Sequence, residues 1–244
     1  MLLAVASDIH GEWDKLDYPE ADVLVFAGDI LNDYSRDFSM AALQQIPEIK
    51  ELNLFFGELL RQNIYKDIIM VAGNHDHAFA KVPEAKTLLT NAHYLQDAGV
   101  ILQGVKFYGS PWQPWFWDWS FNFPNGDPRY GNQLRAKAHA QRCWAAIPDD
   151  TQVLITHGPP HGTLDQTYGG QMVGCPHLER RIEELPDLKL HIFGHIHYSH
   201  GHITKRIQLR KNGFLTNVEH PVQFVNAAIC DTVNPVHPIQ LITI

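Results

Sequence analysis

Five short, almost continuous apolar runs punctuate the chain, at residues 2–6, 23–27, 68–72, 153–155 and 190–193. Runs this short, rich in branched residues and without polar alternation, predict strands buried on both faces. Between them, apolar positions recur three and four apart and predict helices over 40–63, 83–91, 132–146 and 176–185. Pro47 interrupts the first of these, which predicts two helices or one kinked helix, because proline removes a donor and crowds the preceding turn. After Gly194 the pattern changes to short runs at 203–209, 213–218, 222–225 and 239–242, which predict a second, largely antiparallel sheet. Alternating strands and helices imply an α/β core with its site at the carboxyl ends of the strands. No repeat or linker divides the chain, so one domain over 1–244 is expected, with a long Gly- and Pro-rich loop over 158–174 near the site.

Each apolar run ends at, or within two residues of, a side chain able to bind metal. The endings are Asp8-Ile9-His10, Gly28-Asp29, Gly73-Asn74-His75-Asp76, His157 before Gly158-Pro159-Pro160, and Gly194-His195-Ile196-His197. Any one of these reads as a turn former or a hydrogen-bonded core group; all of them in this order do not. Two divalent ions roughly 3.5 to 4 Å apart can orient phosphoryl oxygens and hold one water-derived hydroxide when a carboxylate bridges them. Asp29 is the natural bridge. Asp8 and His10 converge on one ion, His195 and His197 divide between the two, and Asn74 with His157 completes the second. Two M²⁺ against Asp8 and Asp29 leave the site about +2, a local sign suited to a phosphate anion. His75, beside Asn74 but not needed for the ions, is the candidate general acid, so His75 is the expected catalytic residue. The mixed N and O donors suit Mn, Fe or Zn and do not choose among them.

The ordered motifs D-x-H, G-D, G-N-H-[DE], H and G-H-x-H resemble the calcineurin-like metallophosphoesterase family. The resemblance implies a four-layer α/β/β/α sandwich with two facing mixed β-sheets and a dinuclear site. It assigns Asp8, His10, Asp29 and His197 to one metal, Asp29, Asn74, His157 and His195 to the other, and His75 to leaving-group protonation. Gly109-Ser110-Pro111-Trp112, Thr156-His157-Gly158-Pro159-Pro160, Val173-Gly174-Cys175 and Asn226-Ala227-Ala228 are similar to the metallophosphoesterase-domain branch, related to class III cyclic nucleotide phosphodiesterases. Some members of that branch carry glycine for the first histidine of G-H-x-H; His195 is retained here, which implies a competent enzyme. Protein phosphatases of the wider family read G-D-x-x-D-R-G, whereas Ile30-Leu31-Asn32-Asp33 follows Asp29. Asn32 stands where a carboxylate would orient His75, and an amide stabilises an imidazolium less well. No arginine follows to clamp a phosphate, so phosphoserine phosphatase activity is not expected.

Composition narrows the substrate. The 244 residues carry 27 acids against 19 bases, a formal charge of −8 that disfavours nucleic acid as a partner. The three cysteines lack a C-x-x-C pattern and suggest reduced thiols in a cytoplasmic setting, the first residues do not resemble a signal peptide, and no run is long enough to span a membrane. The 15 histidines fit metal chemistry. Trp115, Trp117, Trp119, Phe121 and Phe123 alternate along one segment; packing is the first explanation, and Trp112 or Trp115 stacking on a base at the site mouth is the functional one. Lys205, Arg206, Arg210 and Lys211 read as a solvated hairpin, and His200 and His202 as exposed or supporting groups. The expected activity is phosphodiester hydrolysis, on cyclic nucleotides or other small phosphodiesters, with a phosphomonoesterase, nucleotide pyrophosphatase, nuclease or non-catalytic nucleotide-binding scaffold as rivals.

Overall fold

The computed structural model describes residues 1–124, 133–230 and 237–244. A first sheet holds β1 (Leu2–Ala6), β2 (Val23–Ala27), β3 (Asp67–Val71) and β4 (His93–Tyr94) in parallel, with β11 (Gln240–Thr243) antiparallel on the outer edge of β1. The second sheet runs in the order β5 (Ala98–Leu102), β6 (Val105–Ser110), β7 (Val153–Thr156), β8 (Leu190–Phe193), β10 (Phe214–Asn226) and β9 (Gly201–Lys211). Its centre, from β6 through β7 and β8 to β10, is parallel, and only the two edge pairings are antiparallel. The second sheet is therefore mixed, which corrects the expectation of a largely antiparallel one. Two of the five apolar runs, β7 and β8, lie in it between β6 and β10, because their crossover connections force parallel pairing.

Side-chain alternation along the strands creates the layers. Leu3 and Val5 of β1 and Val23 and Val25 of β2 meet Val153, Ile155, Leu190 and Ile192 between the sheets. Their neighbours Ala4, Ala6, Leu24 and Phe26 face outward and pack against Ile49, Leu52 and Phe56 of α1 (Phe38–Arg61). On the far side, Leu154, Phe193 and Phe224 pack against Trp144 of α4 (Gln133–Ala145) and Leu178 and Ile182 of α5 (Pro176–Ile182). The result is the helix–sheet–sheet–helix stack that the family resemblance implies, and it explains why the strands are apolar on both faces.

Helix α1 is continuous through Pro47. The carbonyl that proline deprives of a donor belongs to Leu43, an exposed residue where water can replace the lost bond. Its first turn is capped by Asp37 Oδ1, which accepts from the amides of Ser39 and Met40 at 2.9 and 3.3 Å. Within the expected helix 83–91 a single turn forms, α3 (Ala85–Leu88), and a separate short helix, α2 (His77–Lys81), precedes it; Asn132, at the start of the third predicted helix, lies outside the described residues. The stretch 158–174 holds no helix or strand and is tied by isolated bridges such as Pro160 to Cys175. Among the described residues, no helix is long and apolar enough to cross a membrane.

Candidate metal centre

All seven predicted ligands emerge at the carboxyl ends of parallel strands: Asp8 and His10 after β1, Asp29 after β2, Asn74 after β3, His157 after β7, and His195 and His197 after β8. Four of them, Asp8, His10, Asp29 and His195, hold left-handed backbone with φ of 55°, 49°, 52° and 68°. Such residues cost about 1 kcal/mol or more each, and they gather where the surroundings enforce them. Here neighbouring loops do so: Asp8 N–H donates to Gly28 O at 2.9 Å, and both Ile9 and His10 donate to Asp29 O. Glycine is required beside the carboxylates. A Cβ on Gly73 would sit 2.2 Å from Asp29 Oδ1, and one on Gly194 would sit 2.1 Å from Asp8 Oδ2.

The side chains converge in overlapping sets. Ligand atoms of Asp8, His10 and His197 lie within 4.8 Å of one another, as do those of His10, Asp29 and His75, and those of Asp29, His157 and His195. His197 Nε2 is 3.1 Å from Asp8 Oδ1, and His157 Nε2 is 2.9 Å from Asn74 Oδ1 and 3.3 Å from Asp29 Oδ2. Donors around one ion at about 2.0–2.2 Å are separated by comparable distances. His157 Nδ1 lies 2.9 Å from Ala27 O, which orients the ring and turns Nε2 toward the cluster.

Electrostatics favour a cation. Burial alone would push Asp8 up, yet the charge and hydrogen bond of His197, with His157 beyond, hold its carboxyl well below the usual range. Asp29 behaves likewise: burial is outweighed by His157 and His75. Burial would lower His157, but Asp29 pulls it up to about 9. Burial, reinforced by His157, pushes His195 down to about 3, leaving a neutral imidazole suited to ligation. The field that draws a proton onto His157 also draws a divalent ion, so this donor set fits the implied metals.

His75 is half-buried beside the cluster, its amide donating to Asp29 Oδ1 at 2.7 Å and its Nδ1 lying 3.2 Å from Asp33 Oδ2. This corrects the reading of Asn32. The carboxylate missing at position 32 is supplied one residue later by Asp33, while the Asn32 amide and backbone N–H both donate to Glu48 on α1. Burial would lower the His75 pKa, but Asp29 and Asp33 outweigh it and the net shift is upward. Sequence reading missed Asp33 because the familiar spacing places the carboxylate elsewhere.

The centre opens into a cavity of about 630 Å³ whose aromatic wall is Phe116 and Trp119. Trp119 lies 4.3 Å from the His75 ring and Phe116 lies 6.2 Å from that of His195. Neither Trp112 nor Trp115, the residues expected to stack on substrate, lines this cavity. Trp112 donates to Asp97 at 2.8 Å and packs on Phe121, Phe123 and His139, and Trp115 donates to Asp118 and faces a separate cavity beside Lys137 and His177. The alternation failed because the segment is not extended. Trp117 and Phe121 take left-handed φ of 51° and 55°, and Asn122 Nδ2 gathers the carbonyls of Phe116, Trp117 and Trp119 into a loop.

A family model described as calcineurin-like phosphoesterase matches residues 1–199. Metallophosphoesterase domain-containing protein 1 of Homo sapiens is 35% identical over 95% of this chain and 67% of its own length. UPF0046 protein K07C11.7 of Caenorhabditis elegans is 34% identical over 94% of this chain and 70% of its own length. The five loops that carry the candidate ligands fall inside the matched span, on the two-sheet frame that brings them together, and the chain accordingly belongs to the calcineurin-like phosphoesterase family of metal-dependent hydrolases.

Proposed function

We propose that this protein hydrolyses small phosphodiesters, with cyclic nucleotides and aryl phosphodiesters as the foremost candidates, at a centre of two divalent ions. Asp8, His10, Asp29 and His197 would hold one ion and Asp29, Asn74, His157 and His195 the other. The observation that carries the reading is the position of Asp29, whose carboxylate belongs at once to a set with His10 and to a set with His157 and His195. When bound, such a pair supplies Lewis acidity to the phosphoryl group and acidifies water toward neutrality.

The protein's own groups do the rest. His75, with Nδ1 facing Asp33, protonates the leaving oxygen from its other nitrogen. Phe116 and Trp119, set edge to face at 77°, supply an aromatic wall against which a base or aryl group can pack. The lining supports a diester over a monoester: Glu12 and Asp33 face the cavity, and no lysine or arginine does among the described residues. A dianionic monoester lacks a clamp there and meets two carboxylates, whereas a diester carries a single charge.

The test compares kcat/KM for bis(p-nitrophenyl) phosphate, p-nitrophenyl phosphate, and 2′,3′- and 3′,5′-cyclic nucleotides in the presence of Mn²⁺, for the native protein and Asp29→Ala. Diesters should be preferred about tenfold or more, the order set by one removed charge, and Asp29→Ala should abolish turnover. Preference for the monoester, or full activity in Asp29→Ala, contradicts the reading.

A further inference from the structure

Beside the centre, the His75–Asp33 pair is joined by a third donor, His77, which the proton-donor reading leaves without a role. Ligand atoms of Asp33, His75 and His77 lie within 4.8 Å of one another. His75 Nδ1 is 3.2 Å from Asp33 Oδ2, and His77 Nε2 is 3.8 Å from Asp33 Oδ1. A tetrahedral zinc with bonds of about 2.0–2.2 Å sets its donors roughly 3.4 Å apart, so the carboxylate already spans two imidazoles at nearly the required spacing.

An independent observation points to a ligand. His77 is wholly buried, its Nδ1 sits 2.9 Å from Ser120 Oγ, and its Nε2 has no hydrogen-bond partner. An orphaned buried nitrogen is rare in a folded protein because it forfeits its hydration. A simple His75–Asp33 pair leaves this nitrogen unexplained; a cation between the three side chains accounts for it. Ser120 Oγ then accepts a hydrogen bond from Nδ1–H and fixes the ring, as outer groups do for ligating histidines. Phe38, stacked on His77 at 4.7 Å and 26°, holds the ring plane. Asp33, together with Phe38, Trp117 and Trp119, also walls an open cavity of about 640 Å³, which gives an ion a route in from solvent.

We propose that Asp33, His75 and His77 form a further metal site, separate from the Asp29-bridged pair, that takes a borderline divalent ion, zinc foremost. Two imidazoles and one carboxylate with a fourth position left to water suit zinc and not magnesium or calcium, which favour all-oxygen shells. Occupancy has a consequence that rests on the proton-donor reading of His75. An ion on Nδ1 takes the place of the proton shared with Asp33, and a metal-bound neutral imidazole is a far weaker acid than an imidazolium. Zinc at this site inhibits.

The experiment is equilibrium dialysis against rising free zinc, with bound zinc per chain measured for the native protein and for His77→Phe, which keeps the stack on Phe38. Native protein should bind one more zinc than the variant, and the His77 ring resonances of the native protein should shift as that ion binds. Ser120→Ala, which keeps all three ligands, should weaken the extra ion about 10- to 100-fold. Equal zinc content in native protein and His77→Phe, or unmoved His77 resonances at saturation, overturns the site without reference to catalysis. In parallel, zinc should suppress native hydrolysis of a diester with a poor leaving group and spare His77→Phe. Binding of the extra ion with no loss of rate leaves the site standing and overturns its inhibitory role along with the acid role of His75.

Discussion

Asp76 closes the G-N-H-D motif, yet it serves backbone and not the cavity. Its Oδ1 accepts from the amides of Ile30 and Leu31 at 3.1 and 2.9 Å, and its Oδ2 accepts from Gly73 at 2.7 Å. One carboxylate thus fastens the loop that carries Asp29 to the loop that carries Asn74. Asp76→Asn keeps the shape but turns an NH₂ against one set of amide donors, and should cost about 1–3 kcal/mol in urea unfolding; an unchanged midpoint would show that the loops are held by other means. Asp33→Asn tests a different role. It should slow phosphodiesters with poor leaving groups by about tenfold or more while changing a p-nitrophenyl ester much less, as loss of support for a general acid requires. Equal slowing of both substrates contradicts that role. These residues divide what sequence could reveal: the candidate ligands stand out because their chemistry and order are distinctive, whereas Asp33 and Asp76 depend on which amide or ring they meet in space.

At the scale of elements, strands buried on both faces were the most legible, since their apolar runs have one physical explanation. The hairpin β5–β6 escaped notice because half of β5 faces solvent and Gly99 and Gly109 dilute the pattern. Helix α1 was legible in extent but not in continuity, because the exposure of Leu43 decides whether Pro47 is tolerated. The aromatic segment misled for a comparable reason: two left-handed residues and the Asn122 hub replace the alternation with a loop, so Phe116 and Trp119 reach the cavity in place of Trp112 and Trp115. Phe116→Ala should therefore raise KM for aryl and nucleoside diesters by roughly tenfold, given about 1–3 kcal/mol for a stacked base. Methyl diesters should change little, and a uniform rise in KM across both classes would remove the stacking role.

For the whole molecule, the fold gathers candidate ligands as distant in sequence as Asp8 and His197, 189 positions apart. The core beneath them contains an acid-sensitive group. His191 on β8 is wholly buried, with Nε2 2.8 Å from Thr156 Oγ1. That hydroxyl donates to Gly158 O at 2.7 Å, so it accepts from Nε2–H and the bare Nδ1 has no partner. Burial pushes this imidazole down from 6.5 to about 3. The unfolded chain takes up the proton below about 6.5 and the native chain does not until near 3, so stability present above 6.5 is lost as pH falls through this window. Relative to His191→Leu, native protein should lose about 2 kcal/mol between pH 7 and pH 5; a gap between the two that does not vary with pH would show that His191 is not held neutral. The central claim is tested most directly by anomalous scattering from crystals grown with manganese. The account predicts two peaks about 3.5 to 4 Å apart with Asp29 between them, one reached by Asp8, His10 and His197 and the other by Asn74, His157 and His195. A single peak, or a pair that leaves Asp29 untouched, contradicts it.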